Sequence, residues 1–544
     1  MDLREAFMKC NHPVSRRQFF ELLTAVGGAA ALGGCSSSGG TDAQGSTAAG
    51  STSNTLTIGI QDEPEGLDIQ QISWDNYVHW LIYEPMVEYS DDLTKVVPAF
   101  FEDFQVSDDG KTYTFTLPKD AKFSNGDAID ANACKSSYDR YLATSEYSSD
   151  YDDVESFEVV DDHTVILHLK AASPYLMASL ASTYSGIVDV AVANGEDKDD
   201  FNRNPVANGP YKVDSWEQGN QLTLSRNENY QTHKSMVKNK GPLPFDTIVV
   251  RFIPDEFTRV SEVESGDVDL IFDVPASSYD ELKGNSDITL YEYTQPGVSY
   301  LDLNTEDGVL TDAAVRQAFT FAIDRDEIVQ TLDGLATPTY GYLSKAQACY
   351  SKDEEKKLSK ELAFDAKKAK KLLKDAGYTE GDDGIAEKDG KKVSVEMLIP
   401  SDRTSLKNAG PVIQKQLKAV GIEAKITEQD AAYIKSTMKE GNYSVGSRNY
   451  VWNDPDMLNN IFTPNSGNKW ENADVTAALA KARTITDTDE RTKAYAEAQD
   501  LLVACYKAVS LFADKYIIAS KSTLSGVQVT TDGRVFLQDA SLSA

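Results

Sequence analysis

Residues 393–450 read VSVEMLIPSDRTSLKNAGPVIQKQLKAVGIEAKITEQDAAYIKSTMKEGNYSVGSRNY, and this stretch decides the fold class. Alternating apolar residues predict a strand over 393–397, and apolar residues at helical spacing predict a helix over 405–420. The pattern continues with a strand, a helix and a strand, at 422–426, 431–440 and 443–450. Because strands joined by single helices lie parallel, the stretch predicts an α/β fold.

The carboxyl ends of the first and third of these strands lead into two polar segments. These segments are SDR at 401–403 and VWNDPD at 451–456. Ligands of open α/β sheets bind beyond the carboxyl ends of the strands. The sequence therefore predicts a ligand site near these two segments.

The preceding part of the chain has a different pattern of predicted secondary structure. Residues 54 to about 300 are rich in strand patterns, such as 56–60 and 164–169, which turn clusters separate. From about residue 303 strands alternate with helices, and Asp324, with Glu327 in a capping box, is predicted to begin a helix that Gly334 ends. The roughly 490 residues after the N-terminal region exceed what one hydrophobic core serves, so at least two domains are expected.

The N-terminus has the pattern of an export signal. Arg16 and Arg17 precede an apolar stretch at 19–32, which is shorter than the about 20 residues of a membrane-spanning helix. Cys35 follows Leu-Gly-Gly, which resembles the lipobox of bacterial lipoproteins. We therefore predict a twin-arginine signal peptide at 1–34, acylation of Cys35, and a disordered Ser/Gly-rich tether to residue 53. The protein is expected outside the cytoplasm, held by lipid at the outer face of the cell membrane.

Charge and cysteine content exclude several classes of partner. The chain carries 53 basic and 86 acidic residues, a formal net charge of −33 at pH 7. The electrostatic field of such a negative charge repels nucleic acid and anionic lipid head groups, so neither is an expected partner. Cys134, Cys349 and Cys505 form no C-x-x-C pair. Cys134 and Cys505 are predicted to be buried free thiols, with one disulfide left open.

The sequence contains no recognisable catalytic or metal motif. A nucleophile elbow, a zinc-protease helix and a phosphate-binding loop are all missing from it. His163 and His168 are an odd number of residues apart on a predicted strand, so they face opposite sides and do not share a metal. The acidic turn at 380–384 lacks the oxygen spacing of a calcium loop and is predicted to be a hairpin turn. We expect no enzymatic activity, no cofactor and no metal site.

Eight collinear segments resemble the family 5 extracellular solute-binding proteins, which are the dipeptide, oligopeptide and nickel receptors of ABC importers. The segments are YEPMV at 83–87, VSDDGKTYTFTL at 106–117, NGPY at 208–211, WEQG at 216–219 with RN at 226–227, GDVD at 266–269, VRQA at 315–318 with AIDR at 322–325, AKKLL at 369–373, and DPD at 454–456. Together they span essentially all of residues 54–544.

This resemblance implies a two-lobed, periplasmic-binding-protein-like clamp with a hinged cleft between the lobes. Lobe one would comprise 54–300, enlarged by a subdomain within about 85–205, and lobe two would comprise 301–512. The chain would return to lobe one at 513–544, with the hinge near residues 299–301 and 512–514. The implied function is capture of a small ligand, a peptide before other candidates, by a monomer that delivers it to an ABC import permease. A ligand-sensing surface receptor of the same fold and a secreted hydrolase are the alternatives.

The resemblance also implies which residues hold the ligand. Arg403 matches the family's carboxylate-binding arginine, although pairing with a protein acid is an equal alternative. The family's ammonium-binding acid falls by spacing on Val451, or on Asn449 or Tyr450. The surrounding loop, NYSVGSRNYVWN at 442–453, contains no acid. We therefore expect a site that tolerates a blocked amine.

Glu63 to Leu67, EPEGL, resembles a loop that faces the cleft. The predicted site residues are Arg403, Arg448, Tyr450, Val451, Trp452, Asp454, Asp456, Glu65 and Gly66.

Overall fold

The computed structural model describes residues 54–543, except 196, 307, 402 and 465–469. The predicted signal, Cys35 and the tether lie outside the described residues, as does Asp402. No helix in the described part of the chain is long and apolar enough to cross a membrane.

Twelve strands form one central sheet. In chain order they are β1 Thr55–Ile60, β2 Tyr211–Glu217, β3 Gln221–Arg226, β4 Thr247–Phe252, β5 Leu270–Ile271, β6 Ile288–Thr294, β7 Gly297–Leu303, β8 Ala336–Pro338, β9 Ser394–Pro400, β10 Glu423–Gln429, β11 Val445–Val451 and β12 Ala508–Lys521. Their order across the sheet is β10-β9-β11-β7-β12-β5-β1-β4-β3-β2, and β6 and β8 also pair with β12.

Strand β12 belongs to both halves of this sheet. Its first part pairs antiparallel with β7, where Ala508 lies opposite Asp302 and Phe512 opposite Ser299. Its second part, from Lys515 to Lys521, pairs antiparallel with β6. The strands on the β7 side form the lobe-two sheet, and those on the β5 side form the lobe-one sheet. The point where β12 passes between them, with Gln295, Pro296 and Asp514, is called the crossing.

The α/β prediction for residues 393–450 is confirmed. Strand β9 is parallel to both β10 and β11. The helices between them are Thr404–Ala419 and Ala431–Glu440, and the side chain of Asp430 accepts hydrogen bonds at the start of the second. Strand β9 runs beyond the predicted end at residue 397 to Pro400, because Leu398 and Ile399 are also buried and continue the pairing with β10.

One predicted helix end is wrong. Asp324 does cap a helix, but that helix, Arg325–Gln330, ends before Gly334. The predicted capping box is also wrong, because Glu327 bonds instead to Lys415 and Gln416 of a neighbouring helix. The chain has already left the helix at Thr331, and Gly334 adopts a positive φ of 79° in the turn that follows.

Lobe one also contains a separate layer of structure with its own sheet and core. Its four-stranded antiparallel sheet has the order Asp103–Val106, Thr112–Thr116, Thr164–Leu169, Val154–Asp161. This sheet and the helix Ala131–Thr144 share a core that includes Phe101, Tyr113 and Phe115. We call this layer the subdomain.

The remaining elements are short sheets and helices. The short strands are Val87–Tyr89 with Val96–Pro98, Leu524–Ser525 with Ser541–Leu542, Gln528–Val529 with Val535–Phe536, and Thr379–Glu380, Ala386–Lys388 and Lys391–Lys392 in one sheet. The other α-helices are Tyr77–Ile82, Leu176–Leu180, Val190–Gly195, Lys198–Arg203, Glu256–Ser265, Tyr279–Gly284, Ala313–Ala322, Lys352–Glu361, Ala366–Asp375, Met457–Phe462, Ala473–Ala482 and Thr488–Cys505. The acidic turn at 380–384 forms a hairpin, as predicted, in which Gly381 N–H donates to the Ile385 carbonyl.

Candidate functional site

The carboxyl ends of the parallel strands of both lobes converge on the crossing. In lobe two, β11 ends with Val451 opposite Gly297, the first residue of β7 after the crossing. In lobe one, β5 runs against β12 and therefore toward the crossing, and β1 is parallel to β5. Because ligands bind beyond such strand ends, the topology points to one site between the lobes at the crossing.

Arg403 lies at this place. It follows the end of β9 and forms the N-cap position of the helix Thr404–Ala419, with an exposed side chain. Burial raises the pKa of Asp514 and of Tyr516, both in β12 next to the crossing, and the positive charge of Arg403 partly offsets this. The guanidinium is thus within electrostatic reach of the crossing, and the side chain is exposed.

The end of β11 brings the other predicted lobe-two residues together. Arg448 lies opposite Tyr300, and Tyr450 lies opposite Val298, on the same face of the sheet. Val451 is 40% exposed. Trp452 packs against both the subdomain core and the helical core of lobe two, so it bridges the two lobes.

Glu65 and Gly66 lie in the lobe-one loop that follows β1. Glu65 accepts a hydrogen bond from the Ser73 N–H, and the Ser73 carbonyl accepts one from the Tyr147 hydroxyl. Tyr147 packs against the subdomain core, so this loop is attached to the subdomain. Gly66 is buried, and a Cβ there would lie 2.3 Å from Asn202 Oδ1, so its contacts are internal to lobe one.

Asp454 and Asp456 have protein partners. Both oxygens of Asp454 accept from the Arg491 guanidinium at 2.8 Å, and both residues are buried. Asp456 accepts from Arg483 at 3.1 Å, and burial raises the pKa of Asp456 to about 6. The two carboxylates predicted to contact ligand therefore serve first to attach the segment after β11 to the following helices.

Asn449 lies in a group of polar residues at the crossing, and the other members of this group were not predicted as site residues from the sequence. Asn449 Nδ2 donates to Gln295 Oε1 at 3.1 Å, to Ser299 Oγ at 3.0 Å and to Asp514 Oδ2 at 3.3 Å. Asn449 was one of the three positions on which the spacing placed the ammonium acid, but Asp514 lies 65 residues further along the chain. The resemblance placed Asp514 in the predicted hinge, opposite residues 299–301, but gave it no role toward the ligand.

The lobes also contact each other away from the crossing. Asn453 Nδ2 donates to Asp532 Oδ2 at 2.6 Å, which links the segment after β11 to the C-terminal part of lobe one. The Arg483 guanidinium lies 4.4 Å from the centroid of the Tyr175 ring in the subdomain. These contacts show that the two lobes touch each other in this structure.

Lobe one holds a pocket, but the charged groups that line it are already paired. Its lining includes Glu84, Glu88, Lys234 and Arg534. Lys234 Nζ lies 2.9 Å from Glu84, and Arg534 pairs with Glu88 and with Asp532. This pocket therefore supports the interior of lobe one and does not compete with the crossing as the candidate site.

The described residues contain no group of three or more His, Cys, Asp and Glu side chains that could hold a metal ion. His168 Nε2 lies 2.7 Å from Glu158 Oε2, and His163 is on the turn before the same strand. Cys134, Cys349 and Cys505 are all free thiols, and Cys134 is buried while Cys505 is only half-buried. The disulfide left open by the sequence is thus not formed among these three.

The fold and the position of the site define a class of protein. Residues 95–472, more than half of the chain, match the profile of the bacterial extracellular solute-binding proteins, family 5, and the chain belongs to this family. Members of this family are binding proteins that capture solutes for ABC importers.

Particular relatives differ in what their names say they bind. The chain is 26% identical over 467 residues to the glutathione-binding protein GsiB of Salmonella paratyphi A, covering 82% of this chain and 86% of the relative. It is 27% identical over 425 residues to the oligopeptide-binding protein AppA of Bacillus subtilis, covering 75% and 76%. The solved structure of NikA from Brucella suis with Fe(III)-EDTA is similar in fold, with a TM-score of 0.78, 22% identity, and coverage of 90% of this chain and all of that one.

Proposed function

We propose that this protein captures a peptide in the cleft at the crossing and delivers it to the permease of an ABC importer. The observation that carries the proposal is the convergence of strand ends from both lobes on an exposed arginine, Arg403. A guanidinium at that position is suited to a peptide's terminal carboxylate, because it donates two parallel hydrogen bonds to it. The names of the curated relatives, which include glutathione-binding and oligopeptide-binding proteins, support a peptide ligand.

The aromatic residues beside the crossing support the same ligand class. Tyr293 and Tyr516 stack with ring centroids 5.5 Å apart, and Tyr450 and Trp452 lie at the end of β11. Aromatic side chains are common in small-molecule sites, and these four would be available to a ligand wherever their rings face the cleft. A surface receptor that senses the same ligand would use the same cleft.

The peptide proposal is tested by capture from a defined mixture. Protein incubated with a casein digest is separated and examined by native mass spectrometry, and captured peptides are then resynthesised for calorimetry. Arg403→Ala should weaken their binding by about 2 to 5 kcal/mol, at least roughly 30-fold, if the charge pair is desolvated.

Amidation of the peptide's C-terminus should have the same effect as this substitution. Lys418→Ala, which removes an exposed charge at the other end of the same helix, serves as the control. Equal affinity for amidated and free peptides would contradict the assigned role of Arg403.

We also propose that the protein is exported and anchored by acylation of Cys35, and that it acts as a monomer. The order of Arg16, Arg17, the apolar stretch and Cys35 supports this processing. A single acyl chain binds membranes only marginally, so two or more chains are expected on Cys35. Cys35→Ala should move the protein from the membrane fraction to the soluble fraction, and retention in the membrane fraction would contradict the anchor.

A further inference from the structure

The loop at the end of β11 lacks the acid that would meet a ligand's ammonium, but the crossing supplies one from another part of the chain. Asp514 is 7% exposed and lies in β12 between the two lobes. Its Oδ2 accepts from Ser299 Oγ at 3.3 Å and from Asn449 Nδ2 at 3.3 Å, and Ser405 donates a further side-chain hydrogen bond. All of these donors are neutral.

No lysine or arginine nitrogen lies within 4.0 Å of this carboxylate in the part of the chain that the structure describes. Arg403 acts on it only from a longer distance. Buried carboxylates are ordinarily paired with a cation, because an unpaired buried charge is costly. The carboxylate at the crossing thus lacks a close positive partner.

Asn449 adds a second acceptor without a donor. Its Nδ2 faces three acceptors, Gln295 Oε1, Ser299 Oγ and Asp514 Oδ2, which fixes the orientation of the amide. Its Oδ1 is buried and has no hydrogen-bond partner among the described residues. Buried acceptors in native proteins are normally satisfied, so Asn449 Oδ1 and the Asp514 carboxylate are together suited to a ligand group that brings donors and positive charge.

A compact cation that donates several hydrogen bonds would suit both acceptors. A metal ion does not fit, because the described residues hold no cluster of three metal-ligating side chains. A primary ammonium fits, because it brings one positive charge and three donors into a small volume. We propose that Asp514 and Asn449 bind the terminal ammonium of the captured peptide, while Arg403 binds a carboxylate.

This inference rests on the proposed capture of peptides and names the group that the cleft requires of them. It reverses the expectation from the loop alone, which was that a blocked amine is tolerated. The loop 442–453 does lack an acid, but Asn449 is one of the three positions on which the spacing placed that acid, and Asp514 supplies a carboxyl group beside it. Asp454 and Asp456, which the sequence offered as candidates, already have Arg491 and Arg483 as partners.

The experiment compares free and acetylated forms of each captured casein peptide by calorimetry. The wild-type protein is expected to bind the free form at least tenfold more tightly than the N-acetylated form. In Asp514→Asn, which keeps the size of the side chain, the two forms should bind within about threefold of each other. Glu281→Gln removes an exposed carboxylate from another helix and should leave the wild-type preference unchanged.

The ratio of the two affinities separates recognition from a structural role. A purely structural Asp514 would lower both affinities, or the thermal midpoint, without changing their ratio. Wild-type binding that ignores acetylation, or an Asp514→Asn protein that keeps the full preference, overturns the inference while leaving peptide capture intact. Capture of no peptide at all from the digest overturns the proposed function, and the inference with it.

Discussion

Asp150 is an acidic side chain of the subdomain. Burial raises the pKa of Tyr450 in lobe two, and the negative charge of Asp150 adds to this. Asp150 lies in the single turn Ser148–Tyr151, where its N–H donates to the Tyr147 carbonyl. Burial, reinforced by the neighbouring Asp152, raises the pKa of Asp150 to about 6, and a hydrogen bond with Ser179 only partly offsets this. At neutral pH the folded protein therefore holds a carboxylate in surroundings that favour its protonated form.

Asp150→Asn should stabilise the protein at pH 7.5 and have little effect below pH 4. A pKa that is higher in the folded than in the unfolded state means that the folded state binds its proton more tightly. The wild type is therefore penalised above about pH 6, and the penalty disappears as the pH falls to about 4, the ordinary range of the group.

The expected difference in the free energy of unfolding at pH 7.5 is about 2 kcal/mol, because one pKa unit corresponds to about 1.4 kcal/mol and the carboxylate keeps part of its solvent. Thermal midpoints of both proteins at the two pH values give the measurement. A difference that does not change with pH would contradict the assignment.

At the scale of elements, the segment after β11 is attached to the helix Thr488–Cys505 by a buried ion pair. Asp454 and Arg491 face each other with two hydrogen bonds of 2.8 Å, and Arg491 lies in the first half of that helix. The negative charge of Asp454 raises the pKa of the Arg491 guanidinium further above its ordinary range, against the opposing effect of burial. The pair fixes where the polypeptide leaves the candidate site.

Asp454→Asn should lower the free energy of unfolding by about 3 to 5 kcal/mol, because it leaves the buried guanidinium of Arg491 without its counter-charge. Urea denaturation followed by tryptophan fluorescence measures this, since Trp452 is two residues away. Glu497→Gln, an exposed position on the same helix, should change stability by less than about 0.5 kcal/mol. Equal effects of the two substitutions would show that the ion pair is not a stabilising contact.

The elements also show what the sequence predicts and what it cannot. The periodicity at 393–450 predicts the strands, the helices and the parallel pairing of β9 with β10 and β11, because each element buries a face that its own spacing encodes. It therefore places Arg403 and Tyr450 at strand ends. It does not predict the partners of Asp454 and Asp456, or the arrival of Asp514 beside Asn449, because these contacts join residues far apart in the sequence.

At the scale of the whole molecule, the two lobes are joined by contacts of different kinds. Asn453 bonds to Asp532, Arg483 lies over Tyr175, and Trp452 packs into the cores of both sides. Continuous backbone joins the lobe sheets at the crossing, through β12 and between β6 and β7. Two covalent connections beside one cleft allow hinge closure of the kind seen in periplasmic binding proteins.

Small-angle scattering should therefore give a smaller radius of gyration with a captured casein peptide than without one, because bound peptide favours the state in which the walls touch. Arg403→Ala at the same peptide concentration should keep the larger radius, since it leaves the cleft largely empty. A radius unaffected by saturating peptide in the wild type would contradict hinge closure.

The position of β12 has a consequence for the order in which the chain can acquire its structure. This strand is close to the C-terminus, yet it lies in the middle of the sheet, between β7 and β5. Until residue 521 has emerged during synthesis, β5, β6 and β7 expose strand edges that later pair with β12. Such edges favour association between chains, and pairing over long sequence separations is slow. A nascent chain that stops before residue 508 would therefore leave both lobes incomplete at once, so neither lobe can mature ahead of the other.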